Sequence, residues 1–169
     1  MFASRTFFGT SRLPAQFGFT AIELMVVVSI VAILAALAAP SFTPLIERWR
    51  VRSATEEVQS TLYFARSEAI KRGGRVSIVR DSDGWAVYFD ANNNGSNEVT
   101  EILQTTAPPP RLDITFPAAT LTIDRWGMLT PIGTGFLVSP TGKPASDISA
   151  KRVCILGGLI KISKGDAPC

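Results

Sequence analysis

The sequence contains no histidine and only two cysteines. The first absence removes the commonest general base and the commonest zinc ligand together. Two thiols cannot build a four-thiolate zinc site either. Serines and carboxylates are present, yet no nucleophile–base pair can be named among them. A lysine-based dyad would need no histidine, but nothing in the pattern points to one. The sequence therefore gives no support for an enzyme.

Charge is sparse as well. Asp, Glu, Lys and Arg make up 18% of the chain, and no acid precedes Glu23. The formal charge is +3, too small to argue for nucleic-acid binding unless the cations cluster locally. A length of 169 residues supports one domain, or one small domain with an appendage. No internal repeat is visible. The apolar share is 46% and the mean hydropathy +0.23, and much of that excess sits in one block.

That block runs over residues 18–42 as GFTAIELMVVVSIVAILAALAAPSF, with Glu23 its only charge. It is long enough to cross a bilayer as a helix. Three readings compete. A secretory signal peptide would use Ala36-Leu37-Ala38 as its cleavage site, but its basic region would be unusually long. It would also carry Glu23 in or beside its apolar core, where an acid costs about 2.5–3.5 kcal/mol at the centre of a membrane helix. A plain signal anchor explains the length and not the acid. The third reading explains both. Gly18-Phe19-Thr20-Ala21-Ile22-Glu23-Leu24-Met25-Val26-Val27 resembles the signal of type IV pilin and pseudopilin precursors.

The resemblance implies that a prepilin peptidase cuts between Gly18 and Phe19 and methylates the new amine of Phe19. The leader of residues 1–18 is somewhat long, basic and free of acid, as is usual in that family. Its removal takes away Arg5 and Arg12, leaving 15 Lys and Arg against 14 Asp and Glu, a net of +1. Glu23 then has a physical partner: an acid in hydrocarbon needs a cation, and the Phe19 amine is the nearest. In a filament the resemblance pairs this glutamate with a neighbour's N-terminus, so that it sets the axial register. The apolar face of residues 24–39 would pack on neighbouring helices. Arg48, Arg50 and Arg52 follow the span while Arg5 and Arg12 precede it, so the positive-inside rule does not decide the orientation. The resemblance does, placing a single-pass chain in the bacterial inner membrane with its C-terminal domain in the periplasm.

Beyond Pro40 and Pro44, which should kink or locally melt the helix, the pattern becomes amphipathic. Leu45, Trp49, Ala54, Val58, Leu62, Ala65 and Ala69 recur at helical spacing until Gly73-Gly74. Residues 19–72 thus read as one helix of about 80 Å at 1.5 Å per residue. From Arg75 the period becomes two, with candidate strands at 76–80, 85–90, 99–103, 112–116, 120–124, 135–138, 152–156 and 159–162. Turn signals at Asp83-Gly84, Asn94-Gly95, residues 108–110, Gly142 and Gly157-Gly158 separate them. The expectation is α+β: one antiparallel sheet laid on a long helix. The parts are a leader (1–18), a membrane and assembly segment (19–44), an amphipathic half-helix (45–72) and a β domain (73–169). In that last part GWAVYFDANNNGSNEVTEIL, LTIDRWGMLTP and RVCILGGLIKIS resemble the GspH/FimT group of minor pseudopilins and minor pilins. That resemblance names as partners the peptidase, sister pilins or pseudopilins and the assembly platform. It leaves open a secretion pseudopilus or a type IV pilus, with the paired cysteines and local basic charge leaning to the FimT-like side.

Three further features have two readings each. Cys154 and Cys169, in an exported domain, read as a disulfide closing a loop of roughly 15 residues and worth about 3 kcal/mol; the alternative is two free thiols. Asp90, Asn92, Asn94, Gly95 and Glu101 satisfy the calcium-loop pattern D-x-N-x-N-G-x5-E. Strands rather than helices flank the loop and only two ligands are charged, so a self-bonded Asx turn competes; no cofactor is favoured. Lys143, Lys151, Arg152, Lys161 and Lys164 face only Asp147 and Asp166, a local +3. DNA-binding members of the group carry a G-R-x-R-like element where this chain has Gly158-Leu159-Ile160-Lys161. Leu159 replaces the first arginine, so DNA contact through Lys151, Arg152, Lys161 and Lys164 competes with a solvated basic edge strand.

Overall fold

A computed structural model describes residues 18–81, 84–107 and 109–169, without the side chains of residues 39–41. The leader up to residue 17, Asp83 and Pro108 lie outside the described residues.

One helix, α1 (Ala21–Arg72), opens the described chain. Thr20 caps it: its Oγ1 accepts a hydrogen bond from the Glu23 amide at 3.2 Å, and its carbonyl accepts from Leu24. The Thr20-x-x-Glu23 spacing is that of a capping box, which explains a start two residues after Phe19. The helix is continuous across Pro40 and Pro44, so neither melts it as expected. Each proline removes one rung of the ladder, and the rungs on either side persist. The chain nonetheless divides at this point into two compact units, Met1–Pro40 and Ser41–Cys169. In the first unit the described residues 18–38 are all exposed.

The second unit has its own core. Its strands are β1 (Val76–Asp81), β2 (Gly84–Phe89), β3 (Ile102–Thr106), β4 (Leu112–Thr115), β5 (Thr120–Ile123), β6 (Leu129–Thr130), β7 (Thr134–Pro140), β8 (Lys151–Leu156) and β9 (Leu159–Lys164). They form two antiparallel sheets where one was expected, ordered β3-β2-β1-β5-β6 and β4-β7-β8-β9. Alternation fixes which face of a strand is buried, not which strand it pairs with. β4 pairs with β7, Leu112 against Pro140 and Ile114 against Val138, instead of with a neighbour in sequence. Residues 99–101, read as strand, wind into a single 3-10 turn, so β3 begins at Ile102. β6 was not foreseen, since two residues carry no alternation.

One stripe of α1 faces both sheets. Val51, Ala54, Val58, Leu62, Ala65 and Ala69 are buried, at spacings of three and four. Val58, Leu62, Ala65 and Ala69 pack with Val76, Ile78, Trp85, Val87, Leu121, Ile123, Leu129, Phe136, Val153, Ile155 and Ile160. Val51 and Ala54 meet Leu112 and Val138. Leu45 and Trp49, assigned to this stripe from the sequence, are instead 62% and 70% exposed. The helical turn explains it: at about 100° per residue, Leu45 stands about 180° from Ala54 and Trp49 about 140°. Val51 occupies the place they were given.

The C-terminus is clipped to the second sheet by the Cys154–Cys169 disulfide. Gly135 on β7 makes room for it, because a Cβ there would lie 2.8 Å from Cys169 Sγ and 2.6 Å from the Val153 carbonyl oxygen. Reducing the disulfide in the detergent-solubilised chain is expected to lower the unfolding free energy by about 3 kcal/mol. Urea unfolding with and without dithiothreitol checks this, with a Cys154→Ser/Cys169→Ser chain as control. An unchanged midpoint on reduction would contradict it.

Candidate functional site

Three regions carry the chemistry singled out in the sequence. The first is the amino-terminal turn of α1. Gly18 and Phe19 precede the cap and are exposed, Phe19 by 72%. Glu23 lies in the first turn, where the unpaired amides of a helix favour negative charge. The segment Ala21–Ala38 is long and apolar enough to cross a membrane, and none of it is buried. A soluble helix would hide such a surface; this one presents it on all sides. The arrangement can insert into lipid, or pack against similar helices, with one acid near its end.

The second region is the basic end of β8 and β9. Lys151 is paired with Lys164, Arg152 with Ser163 and Cys154 with Lys161. Since side chains alternate along a strand, Lys151 and Lys164 share one face of the sheet while Arg152 and Lys161 share the other. The four cations thus form two pairs and not one cluster. Arg152 is also engaged: its Nε and Nη2 donate to the Gly165 carbonyl at 3.0 and 2.9 Å. Gly158 accepts a hydrogen bond from Arg66 of α1, and Ile160 is buried. Of the Gly158-Leu159-Ile160-Lys161 stretch, the exposed side chains are Leu159 and Lys161.

Lys151 faces a groove that the sequence reading missed. Arg48, Arg52, Thr55 and Glu56 of α1, with Ile148, Ser149, Lys151 and Ile162, enclose about 510 Å³. Arg52 is paired to Glu56 at 2.9 Å, which leaves Arg48 and Lys151 as the lining cations without an ion pair among the described residues. The loop of residues 141–150 forms one wall and is tied to α1 by Lys143, whose Nζ lies 2.5 Å from Glu47 Oε2 and 3.7 Å from Asp147 Oδ2. The Glu47 bond raises the Lys143 pKa above the usual lysine range. The Ser149 backbone amide, then Lys143, holds the Asp147 carboxyl below the usual carboxylate range. Arg48 and Arg52 were visible in the sequence only as charges after a span; their place in a groove depends on a loop about 100 residues later, brought there by Lys143.

The third region is the loop between β2 and β3. Asp90 Oδ1 accepts from the Asn94 amide at 3.0 Å and Oδ2 from Gly95 at 2.8 Å. Asn92 and Asn94 each close an Asx turn, their Oδ1 atoms accepting from the amides of Asn94 and Ser96. Glu101 Oε1 accepts from Ala91 at 2.8 Å and Asn92 at 3.4 Å. Glu98 adds a third carboxylate: its Oε1 accepts from the side-chain amides of Asn92, 3.2 Å away, and Asn94, 2.8 Å away. It was legible as the ninth position of the loop pattern.

Comparison with known proteins agrees with this architecture. A family described as "Type II transport protein GspH" matches residues 54–158, more than half of the chain. Two fimbrial proteins of Pseudomonas aeruginosa are each 45% identical over 64 residues, or 38% of this chain. The match spans 41% of the length of these relatives. Two crystal forms of the type IV minor pilin FimU of Pseudomonas aeruginosa share the fold. One aligns with a TM-score of 0.58 at 23% identity, covering 75% of this chain and 97% of FimU. The other gives 0.54 at 22% identity, covering 70% and 96%.

Proposed function

Because this chain belongs to the GspH family of type IV pilin-like proteins, we propose that it is a non-catalytic filament subunit, processed between Gly18 and Phe19 and installed by its amino-terminal helix. The observation that carries this reading is the wholly exposed apolar stretch Ala21–Ala38, with Glu23 in its first turn, attached to a domain with a complete core of its own. A filament of packed helices, and before assembly a bilayer, are the two environments that cover such a surface. The prepilin peptidase supplies the new N-terminus, and Phe19 becomes its methylated amine. Glu23 pairs with an amine, first in the membrane and then across the filament, which fixes register. The domain of residues 41–169 stands on the periplasmic side before assembly.

Between the two machines, likeness to FimU and to the fimbrial proteins favours a minor subunit of a type IV pilus. The description of the matched family favours the second reading, a pseudopilin of type II secretion. Recovery of the chain with pilus subunits or with secretion components separates the two.

DNA contact on the pilus side rests on the Lys151–Lys164 pair. Like charges directly opposite one another across two strands are unfavourable unless an anion lies between or beside them. Arg48 lines the same groove as Lys151. Phosphate is the anion that such a surface would meet on a nucleic acid, held as by point charges and without a bidentate fork.

Two outcomes are expected. Glu23→Ala keeps the chain in the membrane but removes it from sheared filaments, whereas Glu23→Asp retains partial incorporation. Normal incorporation of Glu23→Ala would refute the register role. Fluorescent double-stranded DNA binds the solubilised chain at low salt, and binding weakens at higher salt and in Lys151→Ala/Lys164→Ala. Absence of binding at low salt, or indifference to the double substitution, would leave the basic edge as solvated surface.

A further inference from the structure

The loop between β2 and β3 holds an oxygen that the filament role does not use. Glu101 is only 7% exposed, and its Oε1 is held against the start of the loop by the amides of Ala91 and Asn92. Its Oε2 is buried with no hydrogen-bond partner, alone in that respect among the side-chain atoms of the described residues. A buried carboxylate oxygen left without a partner is costly, and such groups normally face a donor, a water or a cation.

The surroundings favour the cation. Asp90, Asn92, Asn94, Glu98 and Glu101 occupy the first, third, fifth, ninth and twelfth places of a twelve-residue loop. These are places from which side-chain oxygens reach calcium in loops of this spacing, with the backbone carbonyl of the seventh residue, here Ser96, as a further ligand. Gly95, the sixth, has φ +75°, the left-handed turn that the pattern reserves for glycine. Three carboxylates give the loop a charge of −3, while the nearby turn amides already hold Asp90 in place.

The geometry points to a calcium site that this loop forms by a small rearrangement. Among the described residues no three carboxylates stand together as a ready metal site. As the loop stands, the amide NH2 groups of Asn92 and Asn94 are both donated to Glu98 Oε1. Turning the two amides over gives up the Asx-turn bonds of their oxygens, presents those oxygens, frees Glu98, and leaves Asp90 and Glu101 where they are. Glu101 Oε2 then gains the partner it lacks. The oxygen-only donor set and the flexible loop suit calcium over magnesium, which demands tighter octahedral geometry and keeps its waters. Bound ion would tie β2 to β3, the strand at the edge of the first sheet.

The test is calorimetric titration of calcium chloride into the chelator-treated full chain in detergent, beside magnesium chloride at equal ionic strength. Saturable calcium binding is expected, with a dissociation constant of about 10⁻⁴–10⁻³ M as in extracellular calcium modules, and none for magnesium. Glu98→Gln keeps an acceptor for both amides and sits on the surface, so it should fold normally and weaken calcium at least about tenfold. A gain in melting temperature with calcium, absent in Glu98→Gln, is the accompanying readout. No saturable heat up to about 10 mM, equal binding of both metals, or identical binding by Glu98→Gln would overturn the site and leave an Asx-rich turn. Filament assembly does not enter these readouts, so they stand apart from the proposed function.

Discussion

The second unit is organised by one contact: the stripe of α1 from Val51 to Ala69 laid against two sheets at once. Three of its six members are alanine, Ala54, Ala65 and Ala69, so side chains from the sheets can reach close to the helix axis. Leu62 is the bulkiest of the buried stripe residues and lies at its middle, and burying a side chain of that size is worth about 1.5–3 kcal/mol. The stripe also explains why two sheets coexist. Val58 to Ala69 serve residues from both, and Val51 and Ala54 hold β4 and β7 near the start of the unit.

This division of labour along one helix links fold to role. The stripe from Val51 to Ala69 buries its apolar surface within the second unit, while Ala21–Ala38 buries none of its own. Two different solvents are thereby written into one secondary-structure element. The polar cap at Thr20 and the acid at Glu23 sit at the open end of that apolar segment, where the cap closes the helix and the acid faces its unpaired amides. On the proposed filament role, the N-terminal amine of the processed chain is the cation that Glu23 meets once the segment lies in hydrocarbon.

Much of this was legible in the sequence for physical reasons. A long apolar run with one acid, an alternation that changes period at Gly73-Gly74, and two cysteines near the end each carry their meaning locally. The α+β class, the end of the helix at Arg72 and the Cys154–Cys169 pairing follow from such signals. What was not legible depends on partners distant in sequence. The split into two sheets turns on β4 choosing β7, and no alternation encodes that choice. Leu45 and Trp49 misled because large apolar residues draw the eye more than their angle around the helix does; Val51 was the better candidate by angle. Among the site residues, the four C-terminal cations divide because of strand parity, and Arg152 is held by a carbonyl that only the folded tail brings to it. Arg48 joined Lys151 through a loop contact that spacing could not reveal, whereas Glu98 was readable from the loop pattern itself.

The central claim is that the mature chain begins at Phe19 and keeps its apolar helix. Intact-mass and N-terminal peptide analysis of the protein from membranes of its host, with and without prepilin peptidase, tests that claim directly. The account predicts a chain starting at methylated Phe19 when the peptidase is present, and the uncut chain when it is absent. A mature chain starting at Ala39, indifferent to the peptidase, would show a secreted domain and contradict it.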